Sequence, residues 1–269
     1  LFEVFITPVA AVDVARAPAV TVLLRDLSTQ QQLEKMRADF VANASHELRT
    51  PMASMTGFIE TLQGSARNDE KAREKFLCRM LEQAHRMRRL IDDLLSLSRI
   101  EMNLHRTPSD QVDMSEVARY SAELLAARAS EAACEIRVHA PAGMIVNGER
   151  DELIQITQNL IENAIKYGAT ERGIDVSVSH DDRRGRIELA VADYGAGIDA
   201  EHLPRLTERF YRVSVQESRS AGGTGLGLAI VKHIALRHRG YLDITSRKGE
   251  GSIFKFTMPA STELAKAAE

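Results

Sequence analysis

The sequence predicts an α+β protein in two parts: an antiparallel helical hairpin, then helices laid on one face of a mixed sheet. Three observations lead there. Apolar residues recur at 3-4 spacing through residues 41–62 and 76–97, with a polar turn between them. Residues 174–179 and 186–192 alternate apolar and polar, as paired strands do. A glycine-rich string at 222–227 opens a further helical pattern.

Length and composition limit the choices. The 269 residues suit two modest domains or one large one. With 44% hydrophobic and 27% charged residues, the chain has the composition of a globular protein able to bury a core. A net charge of −3 gives no global basic field, so nucleic acid is not an expected partner. Cys78 and Cys134 lie far apart without metal spacing, which predicts a reduced compartment and no metal role for either. The most apolar region, 1–24, is broken by Glu3, Asp13 and Arg16, so it does not predict a membrane span. No signal-peptide pattern is present. The opening at Leu1 rather than Met leads us to expect a piece of a longer protein.

Residues 2–6 and 19–24 form β-like runs around a Pro- and Ala-rich segment. Two strands bury no core by themselves, so 1–28 is expected to be the remnant of an upstream sensory, PAS-like domain with its connector. From about Ser28 the period turns helical. Val41, Ala44, Leu48, Met55, Phe58 and Leu62 keep 3-4 spacing, with Pro51 in one slot. After Gly64 and a polar turn, Phe76, Met80, Gln83, Met87, Leu90, Leu94 and Leu97 make a heptad seam. So much apolar surface needs a partner, and two paired hairpins make a dimeric four-helix bundle. The alternative is a monomeric hairpin packed on the next domain. Residues 29–100 are assigned to this hairpin and 101–112, with Pro108 and no periodicity, to a linker.

Residues 113–260 then predict a second domain, with 261–269 as a tail. Helical patterns cover 115–130, 149–167 and 226–239. Strand patterns cover 135–139, 174–179, 186–192, 241–245 and 252–257. This is a sandwich of helices on a mixed sheet.

Four strings carry chemistry. In residues 40–51 (FVANASHELRTP), the seam positions Val41, Ala44 and Leu48 place His46 on the opposite, solvent-facing side. Glu47 can accept the Nδ1 proton and leave an Nε2 lone pair for attack. Thr50 lies one turn on, on the face of His46. Pro51 lacks an N–H and crowds the Glu47 carbonyl, so a bend is expected there. In residues 158–168 (QNLIENAIKYG), Asn159 and Asn163 are one turn apart and project the same way. Their amide oxygens suit Mg²⁺, which takes few protein ligands. Next, Asp193, Gly195 and Gly197 follow a strand, where a carboxylate can accept from an exocyclic amine and glycines let backbone approach a ring. Last, residues 222–228 (GGTGLGL) put backbone N–H groups at a helix start, where they favour phosphate oxygens.

Each string alone has a plain reading: an exposed His-Glu pair, surface amides, a turn, a glycine-rich helix start. In this order they resemble the H-box, N-box and two glycine boxes of sensor histidine kinases, and 208–212 (ERFYR) resembles the F-box. Thr207 stands where that family usually has a second Phe. The resemblance covers about residues 28–258. It implies a dimerisation and histidine-phosphotransfer hairpin followed by an α/β sandwich ATP-binding domain of the Bergerat (GHKL) type. It implies autophosphorylation of His46 from ATP with Mg²⁺ and transfer to a response-regulator aspartate. His46, Glu47 and Thr50 form the catalytic set, and Asn163 holds the metal. Asn159 and Lys166 lie near the phosphates, Asp193 reads the adenine with Gly195 and Gly197 beside it, and Tyr167 and Ile198 also belong to the ATP site. Arg209 reaches the γ-phosphate, while Gly223, Thr224, Gly225, Leu226, Gly227 and Leu228 shape the phosphate pocket. Residues 213–221, polar and unpatterned, fit a mobile ATP lid. The implied partners are a second copy of the chain and a cognate response regulator. The implied location is the cytoplasmic portion of an inner-membrane sensor, attached only through a segment outside this sequence.

Residues 33–43 (LEKMRADFVAN) are especially similar to the phosphate-regulon sensor subfamily. Thr50 is further expected to orient water for dephosphorylation of the regulator. The basic stretch 79–89 is either a solvated helix face or part of a regulator-docking surface. Two rival readings fit parts of the sequence. A hydrolase of the gyrase or chaperone type is expected to carry Glu where this chain has Asn159, which cannot serve as a base. A degenerate scaffold would not need every string intact.

Overall fold

The computed structural model describes residues 2–9, 19–214 and 223–261. Most of the expected lid, Gly222, the segment between the first two strands and the tail beyond Ser261 lie outside the described residues. The chain divides into two compact units, Leu1–Gln83 and Ala84–Glu269.

In the first unit, β1 (Phe2–Val9) and β2 (Ala19–Asp26) pair antiparallel, with Phe2 opposite Asp26 and Val9 opposite Ala19. Val4, Phe5, Ile6, Val22, Leu23 and Leu24 are all exposed. Consecutive strand residues point to opposite faces, so the ribbon is apolar on both. Asp26 accepts from the Ser28 N–H at 2.8 Å, joining the ribbon to the start of α1 (Ser28–Gln63). After a turn, Asp69 accepts from the Ala72 N–H at 3.0 Å and caps α2 (Glu70–Met102). Phe58 and Phe76 stack with centroids 5.4 Å apart, which fixes the hairpin as antiparallel. The predicted seam residues Ala44, Leu48, Met55, Phe58, Leu62, Phe76 and Met80 are half-buried, whereas Val41 is exposed. A second stripe, Leu77 and Leu81, is left exposed beside them.

The second unit begins within α2, whose final helical residue is Met102, two residues into the expected linker. Its sheet runs β4-β6-β7-β9-β8, formed by Ile136–His139, Ile174–Asp181, Arg186–Asp193, Gly251–Pro259 and Tyr241–Arg247. Only β4 and β6 pair in parallel, so the sheet is mixed as expected. Two three-residue strands, β3 (Gln111–Asp113) and β5 (Ile145–Asn147), pair outside it and carry no signal in the sequence reading. Three helices, α3 (Met114–Glu131), α4 (Arg150–Gly168) and α5 (Gly227–Arg237), cover one face. The Asp113 carboxylate accepts from the Ser115 N–H at 2.8 Å and caps α3.

The period-2 rule places the core. Ile187, Leu189, Val191 and Asp193 are the buried residues of β7, opposite Met258, Phe256, Phe254 and Ser252 of β9. Leu153, Ile156, Leu160 and Ile161 of α4 and Ile230 and Ile234 of α5 are fully buried as well. The last residue of the β7 core stripe is a carboxylate, and the functional site starts there.

Candidate active site

His46 is exposed on α1 in the first unit, as its position opposite the seam requires. Thr50, one turn on, donates its hydroxyl to the His46 carbonyl at 3.2 Å, and Ser54 donates to the Thr50 carbonyl at 3.1 Å. Pro51 is buried and α1 continues through it. Without a proline N–H, the Glu47 carbonyl loses its helical donor, and Glu47 itself is half-buried.

The second unit holds a cavity of about 420 Å³, large enough for a nucleotide. Its floor is α4. Asn159 donates to the Gln155 carbonyl at 2.9 Å, which turns its amide oxygen toward the start of α5. A Cβ at Gly227 would stand 2.7 Å from that oxygen, so the glycine lets α5 begin against the N-box helix. Lys166 bridges to Glu162 at 2.8 Å, and Arg128 reaches the other Glu162 oxygen at 2.8 Å. Burial pushes the Glu162 carboxyl up, but these two cations together hold it below the usual range. The Asn163 side chain faces the cavity without a hydrogen bond among the described residues.

Asp193 closes one end. It is 7% exposed and accepts from the Gly195 N–H at 3.0 Å. Burial pushes its carboxyl up, while the Gly195 and Ser252 hydrogen bonds pull it partway back. A Cβ at Gly168 would lie 2.3 Å from Asp193 atoms, and one at Gly195 would lie 2.5 Å from the Gly168 Cα. Two glycines therefore allow the end of α4 and the loop after β7 to touch, which presses the carboxylate against the cavity. At the other end, Phe210 has a positive φ of 64° and its N–H donates to Gly225 O at 2.8 Å. Arg212 donates to the Thr224 carbonyl at 2.8 Å, so the F-box segment is stitched to the second glycine loop.

Of the residues expected at the nucleotide, Asn159, Asn163, Lys166, Tyr167, Asp193, Gly197, Ile198, Gly223, Thr224, Gly225, Gly227 and Leu228 line this cavity. Three do not. Gly195 sits behind Asp193 against α4, Leu226 is wholly buried in the core, and Arg209 donates to Glu101 of α2. The sequence reading gave no nucleotide-site role to Arg89, Asp93 or Glu162, which also line the cavity. Asp93 flanks the seam of α2 beside Leu94, and a carboxylate among Leu90, Leu94 and Leu97 was the available signal. His46, Glu47 and Thr50 belong to the first unit and the cavity to the second.

These sites define a chain with a phospho-acceptor helix and an ATPase-type nucleotide pocket, and the comparisons agree. Residues 36–103 match the His Kinase A (phospho-acceptor) domain family. Residues 148–262 match the family described as histidine kinase-, DNA gyrase B- and HSP90-like ATPase. With both domains in this order, the chain belongs to the sensor histidine kinases.

Within that family it is 42% identical over 234 residues to the phosphate regulon sensor protein PhoR of Pseudomonas aeruginosa, covering 86% of this chain and 52% of that protein. It is 39% identical over 239 residues to the sensor-like histidine kinase SenX3 of Mycolicibacterium smegmatis, covering 88% of this chain and 61% of that protein. The chain thus spans 52% to 61% of the length of these relatives. Among solved structures, the Acinetobacter baumannii histidine kinase AdeS shares the fold, with a TM-score of 0.62 at 24% identity over 80% of this chain and 98% of that one. Full-length ShkA in complex with AMPPNP gives a TM-score of 0.59 at 26% identity over 82% of this chain and 46% of that one. No helix among the described residues is long and apolar enough to cross a membrane.

Proposed function

We propose that this chain phosphorylates itself on His46 with the γ-phosphoryl of ATP and passes the phosphoryl to an aspartate of a response regulator. The observation that carries the reading is an exposed histidine in the phospho-acceptor segment of a chain whose second unit holds a nucleotide-sized cavity. His46 Nε2 attacks the γ-phosphorus; the N–P bond forms as the bond to the β,γ-bridging oxygen breaks, and ADP leaves. Glu47 stabilises the imidazolium that develops. The regulator carboxylate then attacks phosphorus, an O–P bond replaces the N–P bond, and neutral histidine is regenerated.

Positioning and charge neutralisation do most of the work in such transfers. Asp193 accepts the adenine amine, and Lys166 and the glycine loop meet the phosphates. Asn159 stands where hydrolytic relatives carry a general base, and its amide cannot take a proton from water at neutral pH. Asn163 fits Mg²⁺: an uncommitted amide oxygen in a polar cavity suits a cation that draws its other ligands from phosphates and water. When bound, Mg²⁺ would neutralise phosphate charge. The likeness to PhoR supports a role in phosphate-regulon sensing, with the chain acting as a homodimer on the cytoplasmic side of a membrane-bound sensor.

A paired experiment tests the division of labour. His46→Gln should abolish autophosphorylation and leave binding of a fluorescent ATP analogue unchanged. Asp193→Asn should weaken that binding by about 10- to 100-fold, the scale of one charge-assisted hydrogen bond. Persistent histidine phosphorylation in the first variant, or unchanged affinity in the second, contradicts the assignments.

A further inference from the structure

Asp193 is the last residue of β7 and lies one position past the β6–β7 ladder, whose outermost pair is Asp175 opposite Ala192. Its cross-strand partner is Ser252, so the sheet holds it from the β9 side. Tyr194 supplies a contact on the β6 side. It stands two positions after Ala192, where strand alternation returns a side chain to the Ala192 face, within diagonal reach of Asp175. There its hydroxyl donates to Asp175 Oδ2 at 2.5 Å. Arg137 of β4, opposite Asp175 in the register, donates to the other carboxylate oxygen at 2.7 Å. The Arg137 hydrogen bond, joined by that of Tyr194, holds the Asp175 carboxyl below its ordinary range against partial burial. The Tyr194 contact is therefore charge-assisted. Arg172, in the segment joining α4 to β6, lies over the Tyr194 ring with its guanidinium carbon 4.0 Å from the centroid.

We propose that Tyr194 is a positioning residue for base recognition: tied to Asp175 and covered by Arg172, it holds Asp193 where the carboxylate meets the adenine amine. The inference rests on the proposed role of Asp193 at the adenine. Gly168 and Gly195, which let α4 and the loop after β7 touch, offer no side chain to keep them together. Further along, the same loop is fastened toward β8 and the turn before β9. The Ile198 N–H donates to the Ser246 hydroxyl at 2.8 Å, and the Gly249 N–H donates to the Ala196 carbonyl at 2.7 Å. Tyr194 is the fastening on the opposite side, toward β6 and the segment that leaves α4. Its side chain does not line the cavity, whereas that of Asp193 does, so Tyr194 acts on the nucleotide through its neighbour.

The test uses the full chain and two ligands that differ only in the amine, titrated by calorimetry: Mg²⁺-ADP, and the Mg²⁺ complex of purine riboside diphosphate, which has hydrogen in place of the amino group. The ratio of their affinities reads the amine contact alone. Asp193→Asn is the reference and should remove most of the preference for ADP. Tyr194→Phe keeps the ring beneath Arg172 and loses the hydroxyl; it should reduce the preference about three-fold, the scale of one hydrogen bond. Asp175→Ala breaks the same link from its other end and should match it, with no further loss in the double variant. In Tyr194→Phe the KM for ATP should rise by a similar factor, while His46 phosphorylation at saturating ATP keeps the native rate. If Asp193→Asn removes the preference but Tyr194→Phe leaves it at the native value, or weakens both ligands alike, the tether is refuted and the Asp193 assignment stands. If Asp193→Asn leaves the preference intact, Asp193 does not read the amine and the tether falls with that assignment.

Discussion

We propose that the Thr50 hydroxyl serves a second reaction, dephosphorylation of the regulator, without touching the first. Its hydrogen is on the His46 carbonyl, 3.2 Å away, which leaves oxygen lone pairs on the face of the phospho-acceptor. There it can orient a water toward a docked phospho-aspartate. It cannot deprotonate that water, so its effect is positional, about 10²-fold. Thr50→Ala should therefore autophosphorylate near the native rate yet leave phospho-regulator long-lived in a timed dephosphorylation assay. Loss of both activities together would instead mark Thr50 as a support for the helix around Pro51. At this scale the sequence was most legible where a residue type has few alternatives, as at His46, Asp193 and the loop glycines. Arg209 was less so, because its partner Glu101 is 108 positions away and nothing local marks the pair.

At the scale of elements, α5 is locked to the start of α4 by a buried polar cluster. His238 is buried; its Nδ1–H donates to the Ile234 carbonyl at 2.9 Å and its Nε2 accepts from the Glu149 N–H at 3.1 Å. Both ring nitrogens are committed to the neutral form. Beside it, Arg237 bridges to Glu149 at 2.6 Å and to Glu152, and donates to the Arg106 carbonyl at 3.2 Å. Burial holds the His238 pKa below its ordinary value. The unfolded chain then binds the proton more readily than the folded one, so stability rises with pH across this window. The contribution is complete above about pH 6.5, the unfolded value, and is lost as pH falls toward the depressed folded value. Thermal melts from pH 5 to 7 should show the native chain losing stability on the acid side faster than His238→Gln; parallel curves would contradict this. The longer strands of the sheet and the three helices over it were legible because their periods run over several turns or pleats. The strands β3 and β5 were not, since three residues cannot display a period. The linker reading ended the hairpin at residue 100 and so missed Glu101 and Met102, a two-residue difference at a helix terminus.

For the whole molecule, we propose that the exposed apolar surface of the hairpin drives its pairing with a second copy. The sequence reading treated it as one seam, but the structure separates two stripes. Phe76 stacks on Phe58 of α1 and Met80 is half-buried, whereas Leu77 and Leu81 remain 52% and 58% exposed. Exposed leucines one turn apart on the same helix face suit a surface with a partner. Light scattering of the full chain at micromolar concentration should give twice the chain mass, and Leu77→Glu combined with Leu81→Glu should give one; a native monomer would contradict the bundle. The central claim, however, is chemical: phosphate moves from ATP to His46. Incubation with γ-labelled ATP and Mg²⁺, followed by acid and alkali treatment and peptide mapping, tests it most directly. The account predicts label on the His46 peptide that survives alkali and is lost in acid. Label released only as inorganic phosphate, with none on His46, would show a hydrolase and contradict it.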